Sequence, residues 1–241
     1  MEKNTVSSIR IYDMWDLLPE RVVALFVNGR YAATPIIIPD SVEEFVIGYL
    51  FSEEIIRNHK DIESIRVEEN RVSVLTVDPF RITGRRKTVL SGCGGSTSYI
   101  DLTKLPPVRS GFSLSLSEVS SALMECSGGG AFPSEAFLCG KNGVILRSGD
   151  LDPLNATDRV IGSGLKAGTA FSETFLIISG LISSEMVRRC LLAGIPILLG
   201  RSAPTDLAHR IAGEMNLTLG TISADGALVL YTYPERISAP Q

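Results

Sequence analysis

The stretch of sequence that decides the fold is TFLIISGLISSEMVRRCLLAGIPILL, residues 174–199. Strands are predicted at 174–179 and 195–199, because their continuous apolar runs, 175–178 and 195–199, are typical of strands buried on both faces of a parallel sheet. Between them, residues 183–193 have a helical pattern that Gly194 closes, because glycine readily adopts the left-handed conformation found at helix ends. The stretch therefore predicts a strand, a helix and a second strand of a parallel sheet with both faces covered.

The rest of the second half of the chain continues this alternation. The other predicted elements are paired strands at 135–139 and 144–147, helices at 117–126, 155–166 and 204–215, and a last strand at 227–233. Ser117 is the expected cap of the first of these helices, because serine side chains accept hydrogen bonds from the free N–H groups of a helix start. We predict an α/β domain over residues 108–241.

The first third of the chain predicts a smaller α+β part, residues 1–107, that ends at Pro106-Pro107. Asn28-Gly29 is a strong hairpin turn between extended segments at 21–27 and 30–38. Ser41 is the expected cap of a helix that runs to Glu54, and two further strands are predicted at 62–67 and 71–77. Residues 84–107 are predicted to be a loop.

Composition excludes several classes of protein. The chain has 241 residues, of which 44% are hydrophobic, and a net charge of -4. This acidic balance argues against general nucleic-acid binding, which requires a basic surface. The polar N-terminal residues 1–10 do not resemble a signal peptide, and the apolar runs are too short to span a bilayer. We expect a cytoplasmic protein that does not cross a membrane.

Cys93 is the residue with the clearest chemical potential. It lies in Gly92-Cys93-Gly94-Gly95, and glycines on both sides would let a thiolate move between two partners. Positive charge nearby lowers a thiol pKa, and four cations precede the loop: Arg81, Arg85, Arg86 and Lys87. The residues alone leave two interpretations open, a reactive thiolate and a small loop residue that happens to be cysteine. The four cations are equally compatible with a solvated loop.

The other candidate residues favour structural roles. Cys126 precedes a glycine run at 128–130, where a flexible loop is favoured over an anion-binding nest. Cys139 and Cys190 are predicted to be buried packing residues, and His59 and His209 to be surface or hydrogen-bonded histidines. We predict no bound metal, because four widely spaced cysteines and two histidines do not form a zinc pattern.

Three short segments lie where a ligand or a cap is expected. The cluster of acids at 150–158 lacks the glycine and the glutamate of a calcium loop, so Asp152 or Asn155 is expected to cap the following helix. Residues 179–181 and 202–205 each follow a buried strand. Ligands of open α/β sheets bind beyond the carboxyl ends of such strands.

A series of short stretches from about Glu20 to Ile237 matches one known family in the same order. They are Val27-Asn28-Gly29, Thr34-Pro35, Ile47-Gly48-Tyr49-Leu50, the Gly-Cys-Gly loop, Asp150, Asn155-Ala156, Asp158-Arg159-Val160-Ile161-Gly162, Ser179-Gly180, Ser184-Glu185-Met186-Val187, Ala193-Gly194-Ile195-Pro196-Ile197-Leu198, Ser202-Ala203-Pro204-Thr205, Leu217-Thr218-Leu219, Tyr231-Thr232 and Pro234-Glu235-Arg236-Ile237. On these stretches the chain resembles the FdhD-type formate dehydrogenase accessory proteins.

The resemblance implies a homodimer of chains with a cytidine-deaminase-like α/β/α sandwich and a smaller N-terminal α+β part. It implies a sulfurtransferase that carries sulfur, as a persulfide on Cys93, from a cysteine desulfurase to a molybdenum or tungsten cofactor. That cofactor, molybdenum bis-molybdopterin guanine dinucleotide, would then enter formate dehydrogenase or a related molybdo- or tungsto-enzyme. The resemblance also implies a cofactor-binding segment near the C-terminus. By its position in the chain alone, the family's segment corresponds here to Ile222, Ser223, Ala224, Asp225, Gly226 and Ala227.

The sequence departs from the family pattern in several places. The family's loop has two cysteines, in the pattern Cys-Gly-x-Cys-Gly, and only Cys93 is present here. If Cys93 is the first of them, Ser96 replaces the second. If Cys93 is the second, Leu90 replaces the first. Of the family's Glu-Asp-x-Gly-Arg-His-Asn motif, this chain keeps only Asp150 and Asn155. In the family's Ser-Gly-Arg motif, Leu181 replaces the arginine. A zinc deaminase is excluded, since His-x-Glu and Pro-Cys-x-x-Cys are both missing.

Three functions remain after these departures. The first is the single-cysteine sulfurtransferase, and the glycine-flanked Cys93 favours it. The second is a non-catalytic chaperone that binds the pterin cofactor, and the lost polar residues favour that. The third is a small-molecule-binding module with the same fold.

Overall fold

The computed structural model describes residues 17–79, 105–127, 130, 132–223 and 226–238, together with the backbone of 87–89 and 96–98. The helices are α1 (Val42–Ser52), α2 (Leu116–Cys126), α3 (Pro153–Ala167), α4 (Ser184–Ala193) and α5 (Asp206–Glu214). The strands are β1 (Arg21–Val22), β2 (Ala24–Val27), β3 (Arg30–Ala33), β4 (Ile36–Ile37), β5 (Ile62–Val67), β6 (Arg71–Thr76), β7 (Lys87–Val89), β8 (Ser96–Ser98), β9 (Leu114–Ser115), β10 (Ser134–Gly140), β11 (Gly143–Asp150), β12 (Phe175–Leu181), β13 (Ile197–Ser202), β14 (Thr218–Ile222), β15 (Leu228–Thr232) and β16 (Ile237–Ser238). Short 3-10 helices lie at His59–Asp61, Phe171–Glu173 and Pro234–Arg236.

A six-stranded sheet forms the centre of the second half, in the order β11-β10-β12-β13-β14-β15. The three inner strands β12, β13 and β14 are parallel, with Phe175 beside Ile197 and Ile197 beside Thr218. The remaining neighbours are antiparallel. The strand-helix-strand unit predicted from residues 174–199 is confirmed as β12, α4 and β13, with Gly194 at φ 78° at the end of α4.

Side chains of the sheet alternate between two cores, as the period of a strand requires. On one face, Leu138, Leu176 and Leu198 are fully buried under α3, α4 and α5. On the other face, Phe137, Ile177 and Leu199 pack with α2 and the short strands β9 and β16. Burying such a side chain stabilises the fold by roughly 1.5–3 kcal/mol. The predicted α/β/α sandwich is therefore confirmed.

The N-terminal part is a four-stranded sheet, in the order β3-β2-β6-β5, covered on one face by α1. Asn28 and Gly29 have φ values of 50° and 74°, as the predicted two-residue hairpin turn requires. The predicted strands at 62–67 and 71–77 are confirmed as β5 and β6. The predicted helix after Ser41 is confirmed as α1, although it ends at Ser52.

Four local predictions are wrong. Ser41 precedes α1 but has φ 46° and makes no side-chain cap, and Ser115, in a capping box with Glu118, caps α2 in place of Ser117. The predicted loop at 84–107 contains an antiparallel pair, β7 and β8. No strand was predicted at β14, because residues 218–222 are short, mixed in polarity and interrupted by Gly220.

The two parts of the chain meet where α1 crosses α3. A Cβ atom placed on Gly48 would lie 1.7 Å from the backbone oxygen of Asp158, and one on Gly162 would lie 1.9 Å from that of Glu44. Glycine is required at both positions, since any side chain would push the helices apart. Phe51 and Leu165 pack against the cores of both parts. The boundary near residue 107 stays a prediction.

Among the described residues, none of the helices is long and apolar enough to cross a membrane.

Candidate functional site

The segments predicted to lie near a ligand meet at one edge of the six-stranded sheet. Because β12, β13 and β14 are parallel, Leu181, Ser202 and Ile222 end their strands at the same edge. The antiparallel β15 starts there, with Leu228 paired to Ile222. We call this the carboxyl edge. It brings together residues 179–181, residues 202–205 and the described residues of the predicted cofactor segment, 222–223 and 226–227.

Polar residues replace the apolar core on the α2-facing side of the carboxyl edge. Phe137, Leu199 and Gly220 occupy this face of β10, β13 and β14. Because every second residue of a strand lies on the same face, the next positions toward the carboxyl edge are Glu135, Arg201 and Ile222. Ser179 lies in the same row, where its Oγ accepts a hydrogen bond of 2.8 Å from the Glu135 N–H. We call Glu135, Ser179 and Arg201 the polar row, and the apolar Ile222 lies beside it.

The two charged residues of the polar row differ in their partners, since Glu135 forms an ion pair and Arg201 forms none with a described residue. The Glu135 carboxylate is buried and accepts a 2.6 Å hydrogen bond from the Arg147 guanidinium, which also lies 5.3 Å from the Phe137 ring centre. Arg201 is exposed, and it makes no hydrogen bond or ion pair with the residues that the structure describes. The row therefore offers one cation whose hydrogen-bond donors are available to a ligand.

Hydrogen bonds join the described ends of the predicted cofactor segment next to this row. The backbone N–H and the Oγ of Ser223 each donate a 2.9 Å hydrogen bond to the carbonyl of Ala227. The Gly226 N–H donates to the carbonyl of Ser223, and Gly226 has φ 83°, which glycine adopts readily. Ala224 and Asp225 lie outside the described residues.

Cys93, the predicted persulfide cysteine, also lies outside the described residues, in the sequence between β7 and β8. The other three cysteines are buried free thiols. Cys139 and Cys190 are each 0% exposed within the cores, which confirms their predicted packing roles. Burial raises the pKa of Cys190, and the hydrogen bond with Cys126 together with burial raises that of Cys139.

Cys126 differs from these two thiols in its electrostatic surroundings. A hydrogen bond with Cys139 lowers the pKa of its thiol, and the positive charges of Arg201 and Arg147 act in the same direction against burial. Cys126 is 2% exposed, so an approaching protein cannot reach its sulfur. The result places both arginines within electrostatic range of the core beneath α2.

The polar residues that the resemblance retained serve the architecture. Asp150 is completely buried and holds Arg159 by a 2.7 Å ion pair. Arg159 donates to the carbonyls of Ile38 and Asp40 in the N-terminal part, and Asn155 donates a 3.0 Å bond to that of Ile36. These residues tie β4 and the start of α1 to α3. Of the two caps that the sequence left open, Asp152 and Asn155, it is Asp152 that caps α3.

A second buried network joins α1, α3 and α4. Asp158 accepts two hydrogen bonds from Arg189, of 2.8 and 3.0 Å, and one of 2.6 Å from the Ser52 hydroxyl. Glu185 lies 3.1 Å from both Arg188 and Arg189. Burial lowers the pKa of Arg189, but Asp158 and Glu185 outweigh it and hold that pKa above its ordinary range. The charged groups of this network are therefore paired with one another.

In the part of the chain that the structure describes, no group of three His, Cys, Asp or Glu residues is arranged to hold a metal. His209 is exposed on α5, and His59 is partly buried at the start of a 3-10 helix. Neither histidine lies in the polar row.

Sequence reasoning missed Arg201, Arg147 and Glu135 as site residues. Arg201 directly follows the apolar run of β13, so the change in polarity at a strand's carboxyl end was the available signal. Arg147 and Glu135 carried no such signal, because only the antiparallel register of β10 and β11 brings them together.

A groove of about 1040 Å³ lies at the opposite edge of the sheet. It is bounded by residues 106–113, by Lys141, and by residues 191–194 at the end of α4. None of the predicted site residues that the structure describes borders it.

The comparisons with known proteins identify the family. A profile of the FdhD/NarQ family matches residues 18–238. The chain belongs to this family. The sulfur carrier protein FdhD of Listeria innocua is 32% identical over 239 residues, covering 91% of this chain and 90% of the relative. That of Bacillus subtilis is 30% identical, covering 92% and 90%.

A solved structure supports the fold of this FdhD/NarQ member. The putative formate dehydrogenase accessory protein from Desulfotalea psychrophila superposes with a TM-score of 0.75 at 23% identity, covering 91% of this chain and 90% of that one. At that identity the likeness concerns the fold. It agrees with the predicted α/β class.

Proposed function

We propose that this protein is a sulfur carrier in the maturation of formate dehydrogenase or a related molybdo- or tungsto-enzyme. Cys93 accepts the sulfur of a cysteine desulfurase as a persulfide and passes it to the molybdenum or tungsten of a bis-pterin guanine dinucleotide cofactor. Family membership carries the proposal, since the curated relatives are named sulfur carrier proteins.

The burial of the other cysteines supports the choice of Cys93. A persulfide carrier must present its sulfur to a second protein, so its thiol has to be accessible. Cys126, Cys139 and Cys190 are 2%, 0% and 0% exposed. By exclusion, Cys93 is the cysteine left to perform the transfer. Its thiolate would attack the outer sulfur of the desulfurase persulfide, and the desulfurase thiolate would leave, with no net oxidation.

The carboxyl edge is the proposed binding place of the cofactor. The described ends of the segment that by position corresponds to the family's cofactor-binding residues lie at this edge, next to the polar row. Its location beyond the ends of parallel strands is where open α/β sheets bind ligands. The cofactor acts here as the substrate of sulfur transfer.

Intact mass spectrometry tests the carrier role. The full chain is incubated with a cysteine desulfurase and cysteine, and its mass is measured before and after reductant. We expect the gain of one sulfur atom, reversed by reductant and lost in Cys93→Ala. Cys126→Ala is the matched control and should keep the gain. A wild-type chain that never gains sulfur would contradict the carrier role and favour a non-catalytic cofactor chaperone.

A homodimer and a cytoplasmic location complete the proposal. Sedimentation analysis of the full chain should give twice the mass of one chain. A monomer at micromolar concentration would contradict the homodimer.

A further inference from the structure

Two of the buried cysteines lie next to each other in the core beneath α2. Cys126 is the last residue of α2 and Cys139 lies on β10, and both belong to the apolar cluster between that helix and the sheet. A hydrogen bond joins the two thiols. Cys190 is also a buried free thiol, but it packs in the cluster on the opposite face of the sheet. Cys126 and Cys139 therefore form a pair that Cys190 does not join.

A contact that does not involve the sulfur atoms brings the same two positions together. Glu125, the residue before Cys126, accepts a 2.9 Å hydrogen bond from the Val144 N–H. Val144 is the residue of β11 that pairs with Cys139, and paired residues of antiparallel strands have Cα atoms about 4.5–5.5 Å apart. A Cβ atom placed on Gly143 would lie 2.4 Å from the Glu125 carboxylate, so glycine leaves room for this contact. The end of α2 is thus held against the hairpin that carries Cys139.

The two thiols differ in how readily they lose a proton. The hydrogen bond with Cys139 lowers the pKa of Cys126, and the positive charges of Arg201 and Arg147 act in the same direction. The hydrogen bond with Cys126, together with burial, raises the pKa of Cys139. A thiolate is the form of cysteine that peroxides oxidise, and a neighbouring thiol converts the resulting sulfenic acid to a disulfide. Cys126 suits the first role and Cys139 the second.

We propose that Cys126 and Cys139 form a reversible disulfide when the protein meets hydrogen peroxide. The Cys126 thiolate attacks one oxygen of the peroxide, the O–O bond breaks, and the hydroxide that leaves takes up a proton to give water. The Cys139 sulfur then attacks the sulfenic sulfur, the S–O bond breaks, and a second water leaves with the thiol proton. The two sulfurs together lose two electrons, and the peroxide gains them.

The location of Cys126 allows a small oxidant to reach a sulfur that a protein cannot. Cys126 is only 2% exposed, but hydrogen peroxide is little larger than water. Helix ends open more readily than helix centres, and Cys126 is the last residue of its helix, between the exposed residues Glu125 and Ser127. Peroxide therefore needs only a local opening at the end of α2.

Peptide mapping of the full chain tests the disulfide. Cys93→Ala is used, so that the Cys93 thiol does not compete for the oxidant, and free thiols are blocked after exposure to hydrogen peroxide. A protease that cleaves after glutamate places Cys126 on residues 126–135 and Cys139 on residues 136–173, and neither peptide contains methionine. We expect the two peptides to be joined, with a mass two hydrogen atoms below their sum, and to separate on treatment with reductant.

Cys190→Ala is the matched control, because Cys190 is equally buried but lies on the opposite face of the sheet. Added to Cys93→Ala, it should leave the joined peptides unchanged, whereas Cys126→Ala or Cys139→Ala should abolish them. Separate peptides, whether unmodified or carrying oxygen on each cysteine, overturn the proposal. This result is read from the chain with both cysteines in place, so it does not depend on the folding of the other variants.

The disulfide should also fasten the end of α2 to β10. A crosslink between residues 126 and 139 restricts the unfolded chain, and a loop of this length raises the midpoint of thermal unfolding by roughly 6–12 °C. We expect this rise in Cys93→Ala after peroxide treatment and its absence when Cys139→Ala is added. An unchanged midpoint in a chain whose peptides are joined would contradict the fastening. Neither measurement depends on the sulfur-carrier role of Cys93.

Discussion

Two regions of this protein use arginine in opposite ways. Where α1, α3 and α4 meet, Arg188 and Arg189 are 3% and 4% exposed and completely paired. At the carboxyl edge, Arg201 is exposed and unpaired among the described residues. The difference teaches that the buried arginines hold the two parts together, whereas the donors of Arg201 are not used by the part of the fold that the structure describes.

The largest expected effect comes from breaking the buried network. In Asp158→Ala, Arg189 loses both bonds of its closest carboxylate and the Ser52 hydroxyl loses its acceptor. Removing one partner of a buried pair costs about 3–5 kcal/mol, because the other charge stays buried without compensation. We expect urea denaturation to show a loss of this size in the free energy of unfolding.

The surface pair between Lys166 and Glu43 is the control for that result. These side chains are 33% and 47% exposed at 3.1 Å, and exposed pairs contribute about 0–1 kcal/mol. Glu43→Gln should therefore change stability only slightly. If both substitutions, Asp158→Ala and Glu43→Gln, lowered the free energy of unfolding equally, burial would not be the reason that the network stabilises the protein.

The second-largest effect concerns the helix crossing that encloses the network. In Gly162→Ala the new methyl group would collide with the Glu44 carbonyl, and overpacking of this kind costs roughly 1–3 kcal/mol. In Gly213→Ala, on α5, the nearest atom would be a Thr232 methyl at 3.7 Å. That change should stabilise the protein by up to about 1 kcal/mol, since alanine favours helix. Thermal denaturation of both variants distinguishes the two cases, and destabilisation by both would contradict the tight crossing.

The sequence predicted the elements of the fold well because their signals are local. The apolar runs of β12 and β13, the Asn28-Gly29 turn and Gly194 each act within a few residues. The strand β14 was missed because its five residues mix threonine and glycine with two apolar side chains. It becomes a strand through pairing with β13 and β15, which is information that only the tertiary structure contains.

The site was harder to predict than the fold because its residues are distant in the sequence. Asp150 and Asn155 belong to a motif, yet they bind Arg159 and the Ile36 carbonyl in the interior. Glu135 and Arg201 lie on different strands and meet only through the order of the sheet. The cofactor role of the 222–227 segment stays a prediction, and the described ends of that segment lie beyond parallel strand ends.

The stability of the protein should depend on pH through Glu53, which forms an ion pair with Arg188 at the edge of the buried network. Burial raises the pKa of Glu53 above its ordinary value of 4.5, with Asp158 and Glu185 adding to burial and Arg188 and Arg189 opposing it. A carboxyl whose pKa is raised by folding contributes stability below its unfolded pKa and loses it as pH rises through the folded pKa. Wild-type stability should therefore fall, relative to Glu53→Gln, as the pH increases from about 4.5.

Urea denaturation of both proteins between pH 4 and pH 8 measures this difference. Glu53→Gln is the matched variant because glutamine keeps the shape and has no titrating proton. We expect an effect smaller than that of Gly162→Ala, since Arg188 partly compensates the charge at 3.2 Å. If the free energies of unfolding of the two proteins changed in parallel between pH 4 and pH 8, Arg188 would offset completely the effect of burial on the pKa of Glu53.

The smallest expected effect belongs to the carboxyl edge. Because Arg201 is exposed and makes no hydrogen bond or ion pair with a described residue, Arg201→Ala should change the free energy of unfolding by less than about 0.5 kcal/mol. A loss this small would distinguish an exposed arginine from one that the fold requires. A stability loss approaching that of Asp158→Ala would place Arg201 among the structural arginines and remove the contrast between the two regions.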